Sequence, residues 1–414
     1  MQVRSIAVLS VVLNAVVAVA AVPIRVELTE VKKIWDQAPH NAFTDLVVWQ
    51  DQFFCAFREG RGHVSTDGRI RVLRSRNTDV WRPCEPVVME GYDLRDAHLS
   101  VTPDGKLMLL GGAAPRKKDN ERAPTGSFAA FSSDGRQWSE PQIVVQPGRW
   151  LWCVTWHEGK AYGVSYPAPQ GATPHLELLT SEDGVHYEPL VYKLYAVGRP
   201  NEVTLRFDRW GSCYALIRRD RLSDHPYSAV LGVSRGDYTE WQWHDLGSEF
   251  NAFGGPNLIQ LPTGHWLAAG RMHADGAHTA LCYLDVAEHK MTKLLRLPSG
   301  GDTSYPGLAW HDGLLHMSYY ASHEGKTSIY LATVNVTYPC PACGAMMKPI
   351  PMLAGLPTEA MREQVRRGQA LLAGCVGDPH NPEIACVCLN CKKWKTAEMK
   401  FWQPLPEDFG TSNP

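Results

Sequence analysis

One short turn motif recurs along this chain at an interval that few folds accommodate. Ser132-x-Asp134-Gly135-x-x-Trp138 and Ser181-x-Asp183-Gly184-x-x-Tyr187 set a hydroxyl and a carboxylate to bind the backbone of a hairpin turn, with an aromatic side chain behind it. Looser relatives run from Ser75 to Trp81 and from Ser234 to Trp241, so the four leading serines stand 57, 49 and 53 residues apart. A repeat of ~40–50 residues carrying four strands is the signature of a β-propeller blade. The intervening runs fit that reading. Segments such as KLMLLGG, SFAAFSS, CYALIRRD and LLHMSYYAS are short, rich in aliphatic and aromatic residues, and bounded by pairs such as Asp104-Gly105 and Asp312-Gly313. No long stretch keeps an apolar period of 3.6, so helices are few. Residues 25–337 are therefore expected to form an all-β body, and its length divided by the mean spacing gives a six-bladed β-propeller.

The ends of the chain differ from this body. Arg4 precedes an apolar run from Ile6 to Val19, and Ala18-Val19-Ala20 supplies a small-x-small cleavage pattern, so residues 1–20 read as a secretory signal peptide. The expected location is secreted or periplasmic; the alternative is a hydrophobic extension on a cytoplasmic protein. No other segment is long and apolar enough to span a bilayer, and no integral membrane segment is expected after cleavage. Lys plus Arg (41) nearly balances Asp plus Glu (43), for a net charge of −2. A nucleic-acid partner calls for a basic excess, and none is expected here. The 14 tryptophans hint at sugar-stacking surfaces.

Cysteine usage marks a boundary near Tyr338. Cys55, Cys84, Cys153, Cys213 and Cys282 are scattered singly through the body and read as small buried hydrophobes. Cys340, Cys343, Cys375, Cys386, Cys388 and Cys391 crowd into the next segment. Cys340-Pro341-Ala342-Cys343-Gly344 and Cys388-Leu389-Asn390-Cys391 form a CxxC…CxxC pattern suited to a tetrahedral structural zinc. Residues 338–400 thus read as a small zinc-ribbon-like domain, with one helix from Pro357 to about Leu372. Cys386 competes with Cys388 as the partner of Cys391, and disulfides are the alternative to zinc in an oxidising compartment. Residues 401–414 are expected to form a disordered tail, and the Cys-rich segment could serve as a contact surface for a protein partner.

Within the body, the turn motifs resemble the Asp boxes of sialidases, and the HNAFTDL, AFREGR and GGDTSYPGL stretches make the body similar to bacterial sialidase-like proteins. The resemblance implies an exo-α-sialidase-like glycoside hydrolase that removes terminal sialic acid, or a related acidic sugar, from glycoconjugates with retention. It implies a Tyr nucleophile, a Glu that activates it, an Asp acid/base and three Arg that hold the sugar carboxylate. An anomeric carbon that already bears a carboxylate repels a carboxylate nucleophile, which is why a neutral Tyr takes its place. Matched residue by residue, the resemblance places the nucleophile at Tyr305 and the activating Glu at Glu202, with a carboxylate-binding Arg at Arg218. It places an active-site Arg at Arg61 and the acid/base at Asp67, although Asp67-Gly68 is also an ordinary turn. The family's first-strand Arg is missing, and His40-Asn41-Ala42-Phe43-Thr44-Asp45 stands in its place; Arg58 is a candidate to reach in. The third Arg falls on Arg271, with His278 at the alternative alignment. Arg95-Asp96 is a charged pair that could face the site. No cofactor is expected for catalysis. Two other readings stay open: a catalytically silent glycan-binding propeller, and a propeller glycosidase for a different sugar.

Overall fold

The computed structural model describes residues 22–116, 124–169, 174–222, 226–374, 384–396, 399 and 401–411. Residues 1–20, the expected signal peptide, and Cys375 lie outside them. The body is an all-β propeller. Five four-stranded antiparallel blades open with the strands His40–Trp49, Tyr92–Val101, Gly148–His157, Arg199–Phe207 and Gly254–Gln260. Six blades are expected and five four-stranded ones are found among the described residues; the remaining place in the ring belongs to a nine-stranded composite sheet that opens with Thr303–His311. In that sheet Arg25–Trp35 lies antiparallel to Ser328–Pro339, from Arg25 opposite Thr337 to Trp35 opposite Ile329. The opening strands pack side by side around the axis, and Thr303–His311 returns to touch His40–Trp49.

Sheets face one another through apolar clusters between neighbours. Phe54, Val72, Leu94, Leu109 and Phe128 fill the space between the first two blades, and Tyr214, Leu231, Phe253, Leu258 and Trp266 that between the fourth and fifth. The recurring turns lock this packing from outside. Ser132 Oγ accepts from Gly135 N–H at 2.9 Å, and Asp134 Oδ1 accepts from the N–H groups of Arg136 and Gln137 at 2.8 and 2.9 Å. The bonds recur at Ser181 and Asp183. Gly135, at φ +66°, lies so close to Phe54 of the preceding blade that a Cβ would sit 2.4 Å from the ring. Each such turn therefore joins one blade to the previous one.

A second irregularity recurs at the inner end of every sheet. Each opening strand carries a β-bulge in which two residues oppose one on the second strand. The doubled residues are Phe43-Thr44, Asp96-Ala97, Trp152-Cys153, Asn201-Glu202, Gly255-Pro256 and Tyr305-Pro306. Phe43, Asp96, Gly255 and Tyr305 take positive φ there, at 63°, 45°, 58° and 52°. Bulges re-aim side chains that alternation would send to a sheet face.

The Cys-rich segment continues the composite sheet. Met346–Ala354 pairs with the end of Ser328–Pro339 and with Ile384–Cys388, to which Lys393–Lys395 adds. Its helix spans Glu359–Arg366, shorter than expected. Thr358 caps the start by accepting from Met361 N–H, and Gly368, at φ +65°, turns the chain out of the helix. Residues 401–411 do not trail away as a tail. Gln403–Pro404 pairs with Lys393–Lys395, and Phe409 packs against the small core of Ile350, Leu371, Ala385 and Val387.

Candidate active site

The six bulges converge at one end of the ring, and the side chains they re-aim form the candidate site. Tyr305 donates its hydroxyl to Glu202 Oε1 at 2.7 Å. Arg218, the residue opposite the Asn201-Glu202 bulge, donates to the same oxygen at 2.6 Å, and the N–H of Gly255 donates to Oε2 at 2.6 Å. Three bulges and one opposing residue thus meet on one buried carboxylate. Gly255 has to be glycine: a Cβ would stand 2.7 Å from Tyr305 Cα. Thr44 Oγ donates to the carbonyl of Tyr305 at 2.6 Å, which holds the non-glycine positive φ in place. Trp152 and Phe43 pack against the Tyr305 ring, with centroids 5.5 and 4.9 Å away.

The electrostatics assign different states to the partners. Burial works against charge on Glu202, but the Arg218 guanidinium and the bonds from Arg218, Tyr305 and Gly255 hold its carboxyl below the usual value. Burial, together with the negative charges of Glu202 and Asp96, pushes the Tyr305 phenol well above its ordinary range. The resting pair is a neutral phenol on an ionised carboxylate. Asp96, 6% exposed, is pushed up to about 7 by burial and by the charge of Glu202, against the opposing influence of His98, Arg95 and His63.

A chamber of about 410 Å³ opens beside this group, lined among others by Glu202, Arg218, Arg95, Trp150 and Tyr166. Trp150 and Tyr166 stack with ring planes 15° apart and give it an aromatic wall. Among the described residues, four arginines (Arg95, Arg116, Arg199, Arg218) and three carboxylates (Asp93, Glu202, Asp220) line it, for a net charge of +1. Arg218 also holds Asp220 at 2.8 Å, and Arg95 donates through Nε to Asp93 at 2.6 Å.

Tyr305, Glu202, Arg218 and Arg95 therefore come together, and the other sequence candidates do not join them. Arg58 is fully buried and donates to Asp93, to the Gly62 carbonyl and to Ser65, so it anchors the 60–68 loop and does not line the chamber. Arg61 is 73% exposed and pairs with Asp67 at 3.3 Å. Although partial burial acts upward on Asp67, bonds from Ser65 and from the Arg61 backbone hold its carboxyl low, which suits an anion and not a proton donor. Arg271 donates to the Thr303 carbonyl at 3.4 Å, and His278 Nδ1 meets the Gly276 carbonyl at 2.8 Å; neither lines the chamber. Trp150, Tyr166, Arg116 and Arg199 were not singled out in the sequence, where no local signal separates them from core and surface residues.

Away from the chamber, Cys340, Cys343, Cys388 and Cys391 gather with all four Sγ atoms within 4.8 Å of one another. The Cys340–Cys391 and Cys343–Cys388 separations are 3.9 and 3.6 Å. A tetrahedron with Zn–S of ~2.3 Å has edges of ~3.8 Å, whereas a disulfide needs ~2.05 Å, so the cluster fits a structural zinc. Cys386 instead packs into the apolar cluster around Leu315 and Tyr338.

No family model and no curated protein matches the chain. Among solved structures it is similar to a protein of unknown function from Dyadobacter fermentans (TM-score 0.62, 17% identity, 75% of this chain and 99% of that one). It is also similar to the Trypanosoma rangeli sialidase in complex with sialic acid (0.58, 10%, 73% and 57%). A third is a Fusarium graminearum α-L-arabinofuranosidase bound to an iminosugar inhibitor (0.57, 14%, 72% and 93%). This chain spans just over half of the sialidase. At these identities the likeness establishes a fold shared with propeller glycosidases.

Proposed function

We propose that the protein is a retaining propeller glycoside hydrolase of sialidase type, acting on a terminal sialic acid or a related acidic sugar. The observation that carries the reading is the 2.7 Å bond from Tyr305 to an ionised, buried Glu202. In this reading Tyr305 attacks the anomeric carbon while its proton passes to Glu202, and Arg218 keeps Asp220 as its counter-ion once the Glu202 carboxyl is neutral. The acid that protonates the leaving oxygen is Asp96 and not Asp67, because a donor has to hold its proton near neutral pH. Water then attacks the glycosyl-tyrosine with Asp96 as base. Arg95, Arg116, Arg199 and Arg218 are the cations available to the sugar carboxylate, and Trp150 offers its face to the ring. The composite sheet is read as a sixth blade closed by Arg25–Trp35, the Asp-box turns as those of the sialidases, the Cys cluster as a zinc-ribbon site, and the chain as exported.

A second reading has its own support. Arg218 and Arg95 already hold carboxylates, and the expected Arg58, Arg61 and Arg271 stand outside the chamber, an arrangement that favours a less acidic sugar. Purified protein assayed on a 4-methylumbelliferyl α-sialoside and on an aryl α-L-arabinofuranoside separates the two. Turnover of the sialoside that disappears in Tyr305→Phe supports the first. Turnover of the arabinoside alone supports the second. No turnover across a wider glycoside panel leaves a glycan-binding propeller.

A further inference from the structure

Beside the candidate nucleophile lies a group of ligating side chains that the proposed mechanism does not use. His40 opens the first inner strand, His63 stands on the loop after Gln52–Gly60, and Asp302 immediately precedes Thr303–His311. His40 Nε2 and His63 Nδ1 both point at one oxygen, Asp302 Oδ2, at 3.0 and 2.8 Å. The three atoms all lie within 4.8 Å of one another. The second oxygen of Asp302 is held by the hydroxyl of Tyr320 at 3.0 Å, and its N–H donates to Ser322 Oγ at 2.8 Å, which fixes the carboxylate from behind. The Phe43 ring touches both His63 (5.0 Å) and Tyr305 (4.9 Å), so one phenyl ring separates the group from the nucleophile.

We propose that His40, His63 and Asp302 form a binding site for a divalent first-row transition ion, distinct from the cysteine cluster. Two imidazole nitrogens and one carboxylate oxygen are the donor set that such ions accept, and three protein ligands leave coordination positions open. Tyr320 does what outer partners of metal sites do, orienting a ligand through its free oxygen. The graded burial fits an accessible site: the His40 side chain is 9% exposed, Asp302 29% and His63 53%. An ion there, on one carboxylate and two neutral imidazoles, carries a net charge of +1. That is the charge of the arginine missing from the stretch that begins at His40.

The test uses the full chain, stripped of metal, reloaded with one equivalent of zinc to fill the cysteine cluster, and then titrated with Co²⁺. The expected result is one further equivalent that develops ligand-field absorption without thiolate-to-cobalt charge transfer and that shifts when acetate is added. His63→Ala and Asp302→Asn should weaken it at least tenfold, while His186→Ala, an exposed histidine on an outer turn, leaves it unchanged. His63 is half exposed, so its variant folds even where the Asp302 variant does not. Absence of the additional equivalent, or its persistence in both variants, overturns the site. A spectrum indifferent to acetate overturns its open positions. None of these readouts depends on glycosidase activity, so failure here is distinguishable from failure of the proposed function.

Discussion

The inner and outer ends of the blades are both irregular, yet they differ in what the irregularity does. At the outer ends, Ser132 and Asp134 satisfy their own turn within a few residues, and the product is a staple between neighbouring blades. At the inner ends, the bulge residues depend on partners 53 to 261 residues away: Gly255 and Tyr305 on Glu202, Thr44 on Tyr305. The outer irregularity is self-contained and stabilising. The inner one is collective, places a buried charge and a non-glycine positive φ at its centre, and so concentrates strain where the chemistry is proposed.

That contrast yields predictions of graded size. Tyr305→Phe and Glu202→Gln should each cost roughly a hundred- to ten-thousandfold in kcat/KM, with unchanged far-ultraviolet circular dichroism. Comparable rates in wild type and both variants would mean that the bulges only shape the core. Asp96→Asn should cost a comparable factor and remove the alkaline limb of the rate profile near pH 7. Its stability signature has a fixed sign. A folded-state pKa of about 7, above the ordinary carboxylate value of ~3.9, means that the folded state holds the proton more tightly. The contribution is therefore full below pH ~4, declines as pH rises to about 7 and is lost above, and denaturant titrations of Asp96→Asn should lack that decline. Arg58→Ala leaves Asp93 buried beside Arg95 alone and should cost about 3–5 kcal/mol in equilibrium unfolding. Ser132→Ala removes two turn bonds and should cost about 1–2 kcal/mol, with no change in kcat; a larger loss would make the outer turns as collective as the inner ones.

The same contrast explains what could be read in the sequence. The outer turns are contiguous motifs, so the propeller and the approximate blade length follow from Ser132–Trp138 and Ser181–Tyr187 directly. Tyr305, Glu202 and Arg218 were reachable only through a family resemblance, because nothing local joins residue 202 to residue 305. Asp67 has the place in the chain of the family's acid, but in the structure its carboxylate is taken up by the side chain and the N–H of Arg61. Asp96 was left unplaced because a bulge suspends the alternation that tells which way a strand residue points. The helix expected from Pro357 to about Leu372 stops at Arg366 because Gly368, at φ +65°, takes the chain out of it.

The pairing of Arg25–Trp35 with Ser328–Pro339 has a consequence in time. The first described strand of the chain pairs with one some 300 residues further on, so the ring cannot close before nearly all of the propeller has been made. Until it happens, one edge of Ser328–Pro339 offers a row of free backbone groups to any strand of matching register. The equivalent strand of a second copy matches by construction. High concentration during refolding should therefore favour dimers that exchange their first strands, each ring locked by its neighbour's beginning.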